Sequence, residues 1–162
     1  WHYKENRISS KEDIEIMPVK SFRGQLADLE QRKIPLSTVD GKTGYKIIKF
    51  QTIPAAPGTV VQDSMIKIYK VEQDAVDSIV NFEDNRLLGV AVASNDTQLR
   101  YYEMGDIIIF DNEVFNQDIF VTHKDNATGE PCNYYIELEQ IKLDLNEQTV
   151  ATLKDIRNIG VE

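Results

Sequence analysis

The chain has 162 residues, which is enough for one domain with a real hydrophobic core. It carries 18 Lys and Arg against 27 Asp and Glu, and the resulting net charge of −9 argues against non-specific nucleic-acid binding, because such binding depends on cations that neutralise phosphates. No apolar stretch approaches the roughly 20 residues of a membrane helix, and no signal peptide is visible. We therefore expect neither nucleic acid nor membrane among its partners.

The N-terminal part predicts an arm followed by one helix. Residues 1–20 are polar and mixed in charge, without a clean period, and are typical of an extended arm. The stretch from Ser21 to Arg32 is the one plausible helix. Within it, Phe22, Leu26 and Leu29 fall at spacings of four and three, which places them on one helical face. An isolated helix of three turns is only marginally stable in water, so this face must dock on its own sheet or on a neighbouring subunit.

Six apolar runs between turn residues predict the strands of an antiparallel sheet. Runs rich in β-branched and aromatic residues and bounded by Gly, Pro, Asn and Asp are typical of strands. The runs are Tyr45–Thr52, Met65–Val71, Arg86–Ser94, Ile107–Phe110, Ile119–Thr122 and Tyr134–Leu138, with a shorter candidate between Val76 and Phe82. Together they predict an all-β fold, an antiparallel β-sandwich or jelly roll with one short N-terminal helix and extended terminal arms. We expect an N-terminal arm with the helix over 1–36, a β-sandwich over 37–148 and a C-terminal tail over 149–162.

Three of these runs carry finer predictions. The continuous apolar block Ile107–Phe110 indicates a strand buried on both faces. In Arg86–Ser94 alternate residues are small, which lets another backbone or sheet approach that face closely. The small residues are Gly89, Ala91 and Ala93. The apolar alternation of the last run changes phase after Leu138, which predicts a β-bulge, a sharp bend or a change of partner near Glu139 and Gln140.

Catalytic and zinc-binding patterns are absent. The single cysteine, Cys132, excludes an internal disulfide and favours a reducing compartment. One cysteine and two histidines, His2 and His123, are too few ligands for a Zn site of Cys/His type. His123 and Cys132 flank one connection and could approach as a nucleophilic pair, but a semi-buried cysteine and a surface histidine are the commoner outcome. Because no GxSxG, HExxH or P-loop motif occurs either, we expect no enzyme.

One acidic connection is the candidate metal site. Asp111, Glu113 and Asp118 could supply oxygen ligands to Ca²⁺. No EF-hand spacing is present, and Asp and Asn in such connections more often stabilise tight turns through bonds to the backbone. Apart from this Ca²⁺ we expect no cofactor.

Two adjacent tyrosines are the candidate ligand-binding surface. Tyr134 and Tyr135 could stack on a sugar, although aromatic residues in a small sandwich more often pack in the core or at its rim. Tyr135 is the better candidate, because alternation places it on the same face as Glu137 and Glu139.

Four segments, spread from end to end, carry a family resemblance. They are QLADLEQRKIPL (Gln25–Leu36), KTGYKIIKFQTIP (Lys42–Pro54), IIFDNEVFNQDIFVTHKD (Ile108–Asp125) and CNYYIELEQIKLDLNEQTVATLKDIRN (Cys132–Asn158). In length and order they resemble structural proteins from the virions of contractile-tailed bacteriophages that infect marine cyanobacteria. The resemblance implies a virion component without a defined activity. It also implies a location in the virion, with other virion proteins and further copies of the chain as partners.

Two functions from different classes follow. The first is a non-enzymatic structural subunit of a virion, with the face formed by Phe22, Leu26 and Leu29 and both arms in contact with neighbouring subunits. Deleting residues 1–36 is then expected to abolish assembly and leave the sandwich folded. The second is a lectin-like carbohydrate-binding jelly roll that recognises a host glycan, with Ca²⁺ as a candidate requirement. It predicts that Tyr135→Ala abolishes glycan binding.

Overall fold

The computed structural model describes residues 18–94, 106–110, 113–144, 146, 147, 149, 151 and 152. Its strands are β1 (Val19–Leu26), β2 (Gln31–Ile34), β3 (Thr43–Pro54), β4 (Asp63–Tyr69), β5 (Leu87–Ser94), β6 (Ile107–Ile109), β7 (Ile119–Asp125) and β8 (Cys132–Lys142). They form two antiparallel sheets, a three-stranded sheet A in the order β1-β8-β3 and a five-stranded sheet B in the order β2-β7-β4-β5-β6. The predicted all-β sandwich architecture is thus confirmed. In the described part of the chain, helical backbone is confined to 146, 147, 149, 151 and 152.

The main core lies between the two sheets and follows the period of two that strands impose. On β8 the side chains of Tyr134, Ile136 and Leu138 are buried. Ile66 and Ile68 of β4 join the same cluster from sheet B. The six predicted runs coincide with β3 to β8 apart from their ends. Apolar runs bounded by turn residues therefore identified six of the eight described strands.

The small face predicted on β5 is confirmed. Gly89 and Ala91 pair with Ile68 and Ile66, so they lie on the inner face of sheet B. A Cβ atom at Gly89 would meet the ring of Phe50, on β3 of the other sheet, at 3.5 Å, and the backbone carbonyl oxygen of Ile108 at 3.3 Å. The absence of a side chain there lets the two sheets close over each other.

The predicted helix from Ser21 to Arg32 is wrong, because this stretch forms β1, a turn and β2. A spacing of four, as between Phe22 and Leu26, fits one turn of helix and also one face of a strand, so it could not distinguish them. Gly24 hides the strand alternation at the position between them, where a Cβ atom would lie 2.8 Å from the hydroxyl oxygen of Tyr134. Leu29 sits in the turn with a left-handed φ of 63°.

The position of β1 and β2 also corrects the predicted domain limits. The two strands belong to different sheets of the sandwich, so residues 19–34 are part of the body and not of an arm. A deletion of residues 1–36 would remove both strands, and an informative truncation has to stop before Val19. Of the predicted arms, residues 1–17 and 153–162 lie outside the described residues.

The irregularity predicted near Glu139 and Gln140 lies on the neighbouring strand. Ile47 of β3 pairs with Leu138, and the next pair is Lys49 with Glu137, so Ile48 is the extra residue of a β-bulge. β8 itself keeps its register with β1 through Glu139. The Ile47-Ile48 doublet inside an otherwise alternating run is the signal that could have placed the bulge on β3.

The prediction that Ile107–Phe110 is a central strand buried on both faces is wrong. β6 is one of the two edge strands of sheet B among the described residues, and Ile107 and Ile108 are 40% and 43% exposed. A short β-branched run identifies a strand but contains no information on its neighbours.

Strand pairing in the sandwich is nested. β1 pairs with β8, β2 with β7, and β4 with β5. The remaining two strands, β3 and β6, do not pair with each other but lie at the edges of different sheets. These two edges approach each other along one side of the sandwich.

A long excursion between β4 and β5, residues 70–86, covers the outer face of sheet B. It contains no strand, so the short strand suggested between Val76 and Phe82 is not formed. A second hydrophobic cluster beneath it contains Tyr69, Leu87 and Val90. No helix among the described residues is long and apolar enough to cross a membrane.

Candidate functional site

The most connected buried polar group lies where β4 and β7 adjoin. His123 and Ser64 are both buried, with the Nε2 atom of the histidine 2.9 Å from Ser64 Oγ and its Nδ1 atom 3.1 Å from the Ala27 carbonyl oxygen. Gln62 Nε2 donates to Ser64 Oγ at 2.7 Å and to the Pro131 carbonyl oxygen at 2.8 Å. A neutral imidazole satisfies both of its contacts, because Nδ1–H donates to the carbonyl and Nε2 accepts the Ser64 hydroxyl proton.

Cys132 lies close to this network but is not activated by it. Its side chain is completely buried, and Sγ lies 3.6 Å from the carbonyl oxygen of Ile53. Burial raises the pKa of the thiol to about 11, which outweighs the lowering effect of a hydrogen bond with Ser64. The nucleophilic form of cysteine is the thiolate. A neutral, buried thiol therefore does not form the reactive pair with His123 that the sequence left open, and His123 is a buried residue instead of a surface one.

The loop between β7 and β8 is built around one buried carboxylate. Asp125 accepts backbone hydrogen bonds from Asp63 and Ala127 on Oδ1 and from Glu130 on Oδ2, at 2.8 to 3.0 Å. Burial alone would raise the carboxyl pKa of Asp125, but these bonds outweigh it and the pKa is lowered. The backbone N–H of Asp125 donates to Asp28 Oδ1 at 2.8 Å, which ties the β1–β2 turn to the same loop. The arrangement explains the carboxylates here as loop supports.

The two described members of the predicted Ca²⁺ site have structural partners. Asp118 Oδ1 accepts the backbone N–H groups of Leu36 and Ser37 at 2.7 and 2.8 Å, and Oδ2 lies 3.1 Å from Lys33 Nζ. Burial raises the pKa of this carboxyl, but the backbone bonds and Lys33 outweigh it and lower the pKa to about 2. Glu113 instead accepts from Lys70 Nζ at 2.8 Å.

Within the described residues, no group of three or more His, Cys, Asp and Glu side chains is placed to hold a metal ion. Asp111, the third predicted ligand, lies outside those residues. The Ca²⁺ site at Asp111, Glu113 and Asp118 therefore stays a prediction.

The two candidate tyrosines lie on opposite faces of sheet A. Tyr134 faces the core and is buried. Tyr135 is half-buried on the outer face, where its hydroxyl donates to Glu137 Oε1 at 2.7 Å and Lys49 Nζ lies 5.8 Å from the ring centroid. They cannot stack on one ligand together, and of the two only Tyr135 is accessible.

The residues of the predicted helical face are separated. Leu26 is in the core, Phe22 packs partly buried against the core, and Leu29 is 55% exposed in the turn after β1. They do not form one surface, and their role in an interface stays a prediction.

The feature that sequence reasoning missed is the gap between β3 and β6. We call it the β3–β6 seam and define it by the edge of β3 from Ile47 to Thr52 and the edge of β6, Ile107–Ile109. A notch of about 330 Å³ lies in it, lined by Lys46, Ile47, Ile48 and Ile109. Ile48 is 43% exposed. An open, apolar strand edge is uncommon on soluble proteins, since it readily pairs with another chain.

A second concavity, of about 460 Å³, lies on the outer face of sheet B beside the β4–β5 excursion. Its lining is mostly apolar and includes Met65, Phe82 and Val92. None of His123, Ser64 and Cys132 lines it or the notch in the seam, so the buried polar network has no access to either concavity.

Comparison with known proteins adds no further assignment, since no protein-family model and no curated protein sequence matches the chain.

Proposed function

We propose that the chain is a non-enzymatic structural subunit of a bacteriophage virion that works through contacts with other virion proteins and with copies of itself. The observation that carries this proposal is the nested strand pairing. In a jelly roll the sheets run 1-8-3-6 and 2-7-4-5. The pairs β1·β8, β8·β3, β2·β7, β7·β4 and β4·β5 match that order, and only β6 has changed sheets. Jelly rolls build the subunits of many viral capsids, as well as lectins.

The burial of its reactive side chains supports a role without catalysis. Ser64, His123 and Cys132 are the nearest approach to a nucleophile and base among the described residues, and all three are fully enclosed. A catalytic nucleophile needs access to its substrate and an activated form. The hydrogen bonds of these residues connect β3, β4, β7, β8 and the turn after β1, which is a structural task.

The exposed apolar residues of the seam support a role in assembly. Ile48 and Ile107 are each at least 40% exposed and lie on two edge strands that approach each other. In an assembly, such surface is covered by a neighbouring subunit.

The carbohydrate-binding alternative shares the jelly-roll argument but has less support from the candidate residues. Tyr134 is buried, and the hydroxyl of Tyr135 is already bonded to Glu137. A glycan screen with and without Ca²⁺ tests it directly. Binding that Tyr135→Ala abolishes would favour this alternative over the structural role.

Native mass spectrometry of the full chain, recorded over a range of concentrations, tests the proposed function. We expect a closed symmetric oligomer, since most soluble homo-oligomers have closed symmetry. A monomer at every concentration would contradict self-assembly of this chain.

A further inference from the structure

Along the seam, both β3 and β6 have backbone hydrogen-bonding groups on the side that pairs with no described strand. On β3, the N–H and carbonyl of Tyr45 point away from β8, because they bond to Phe115 at 2.7 and 3.0 Å. Backbone groups alternate in direction along an antiparallel strand. With Ile48 inserted as the bulge, those of Phe50 and Thr52 also point away from β8 and towards the seam.

The edge strand β6 also has backbone groups that point away from its neighbour. The N–H of Phe110 donates to Leu88, and the carbonyl of Asp106 accepts from Val92, at 3.0 and 2.9 Å. The backbone groups of these two residues therefore point towards β5. By the same alternation, the N–H and carbonyl groups of Ile107 and Ile109 point away from it. The seam is thus bordered by two strand edges with backbone groups available for pairing, and its notch is lined mostly by apolar side chains.

We propose that the seam binds the segment Glu12–Met17 of a second copy of this chain as an added β-strand, an inference that rests on the proposed structural function. The segment reads EDIEIM, in which acidic and apolar residues alternate as in a half-buried strand. Ile14 and Ile16 would face Ile47 and Ile109, while the acidic residues would lie on the outer face. Main-chain pairing of this kind is a common way to add an extended peptide to a sheet edge.

Charge specifies the register of the added strand. On the outer face of sheet A, Lys46 lies opposite Glu139 and Lys49 lies opposite Glu137. The two glutamates are two residues apart, and the bulge at Ile48 gives the two lysines the same separation across the sheet. Asp13 and Glu15 share this spacing. They would place carboxylates beside the two lysines, so that acidic and basic residues alternate from strand to strand.

The reach of the chain requires that the added strand come from another copy. Pro18 is fixed beside β8, where its carbonyl accepts from Gln140 at 2.9 Å, and Gln140 pairs with Tyr45 of β3. A strand added beyond β3 lies three strand spacings from β1, about 14 Å. Only Met17 lies between Ile16 and Pro18, and the two steps along the chain span at most about 7 Å. The segment of one copy therefore cannot occupy its own seam in this register.

Disulfide cross-linking between two variants that each carry one added cysteine tests the inference in the full chain. Ile14→Cys and Ile48→Cys are mixed, differently tagged, under mild oxidation, and the heterodimer is followed on a non-reducing gel. The native Cys132 is completely buried and remains in place. We expect the heterodimer to form roughly tenfold faster, or more, than with the control Val39→Cys, because strand pairing raises the local concentration of the two thiols. Val39 is fully exposed in the loop before β3. Equal rates would overturn the inference.

Charge reversal gives a second and independent measurement. Lys46→Glu combined with Lys49→Glu should abolish the fast cross-link, and Asp13→Lys combined with Glu15→Lys in the other copy should restore it. Lys142→Glu makes the same change at an exposed position on β8 and should have no effect. Loss without restoration would overturn the proposed register.

The outcomes also separate this inference from the proposed function. An oligomer in native mass spectrometry whose Ile14→Cys and Ile48→Cys variants do not cross-link would overturn strand insertion and leave the structural role standing. A chain that is monomeric at every concentration would overturn both strand insertion and the self-assembly part of the proposed function.

Discussion

Ile48 of β3 and Ile109 of β6 line the same notch although their strands belong to different sheets. In a regular jelly roll a strand pair would occupy this place. Among the described residues of this chain, β6 is the fifth strand of sheet B, and sheet A has three strands. β3 and β6 are therefore edge strands, as β1 and β2 are, and the proposed assembly role rests on the β3 and β6 edges.

The ion pair between Lys67 and Asp77 should respond unequally to loss of either partner. Lys67 is 2% exposed and donates to Asp77 Oδ1 at 2.9 Å and to the Ile79 carbonyl at 2.7 Å, whereas Asp77 is half-exposed. Asp77→Asn leaves a buried ammonium without its counter-charge, and we expect a loss of about 1–3 kcal/mol in the free energy of unfolding. Lys67→Met leaves only a solvated carboxylate and should cost less. Urea unfolding measures both, and a larger loss for Lys67→Met would contradict this account.

Asp118 should make the free energy of unfolding depend on pH under acidic conditions. Its carboxyl pKa is lowered from 3.8 to about 2 on folding, so the ionised form favours the folded chain by about 2 kcal/mol. This contribution is fully present above pH 4 or so and is lost as the pH falls through about 2. Asp118→Asn should lose it at pH 7 and show a flatter profile in urea unfolding below pH 4. Glu72→Gln makes the same chemical change at an exposed residue and should leave the profile unchanged.

Removal of the Ser64 hydroxyl from the buried hydrogen-bond network should destabilise the folded chain. Ser64→Ala leaves His123 Nε2 without its donor and removes one acceptor of Gln62, and we expect a loss of about 1–3 kcal/mol in the free energy of unfolding. Ser78→Ala, in the half-buried part of the β4–β5 excursion, is the matched control and should change stability little. Thermal unfolding of the two variants side by side checks this. An equal shift for both would mean that the network contributes nothing specific.

Cys132 should be inert in the folded chain. Because the thiol is completely buried and its pKa is raised to about 11, it is protonated and shielded at pH 8. We expect no reaction with a disulfide reagent until urea unfolds the protein, whereas the exposed Val39→Cys should react at once. Rapid labelling of Cys132 in the native chain would show that β8 opens locally.

The sequence identified those parts of the fold whose period was unambiguous. Alternation along Tyr134, Ile136 and Leu138 gave both the strand and its buried face, and the small residues of β5 correctly indicated a close approach between sheets. The helix predicted from Phe22 and Leu26 was wrong, because residues four positions apart lie on one face of a helix and also on one face of a strand. The choice depended on long-range pairing with β8, which no local pattern contains.

The candidate site was less accessible to sequence reasoning, because it depends on which strands are neighbours. The apolar run at Ile107–Ile109 predicted a strand, yet whether that strand is central or at an edge follows only from its pairing with β5. His123 and Ser64 are far apart in the sequence and meet because β4 pairs with β7. The Ile47-Ile48 doublet was the one local signal of the bulge, and it points directly at the seam.

The most direct test of assembly through the seam compares the full chain with a chain that starts at Pro18, by native mass spectrometry at matched concentrations. This truncation keeps all eight described strands. Urea unfolding of the same samples establishes that both chains are folded. We predict a closed oligomer for the full chain and a folded monomer for the truncated one. The same oligomer from both chains, or a monomer from both, would contradict assembly by the N-terminal segment.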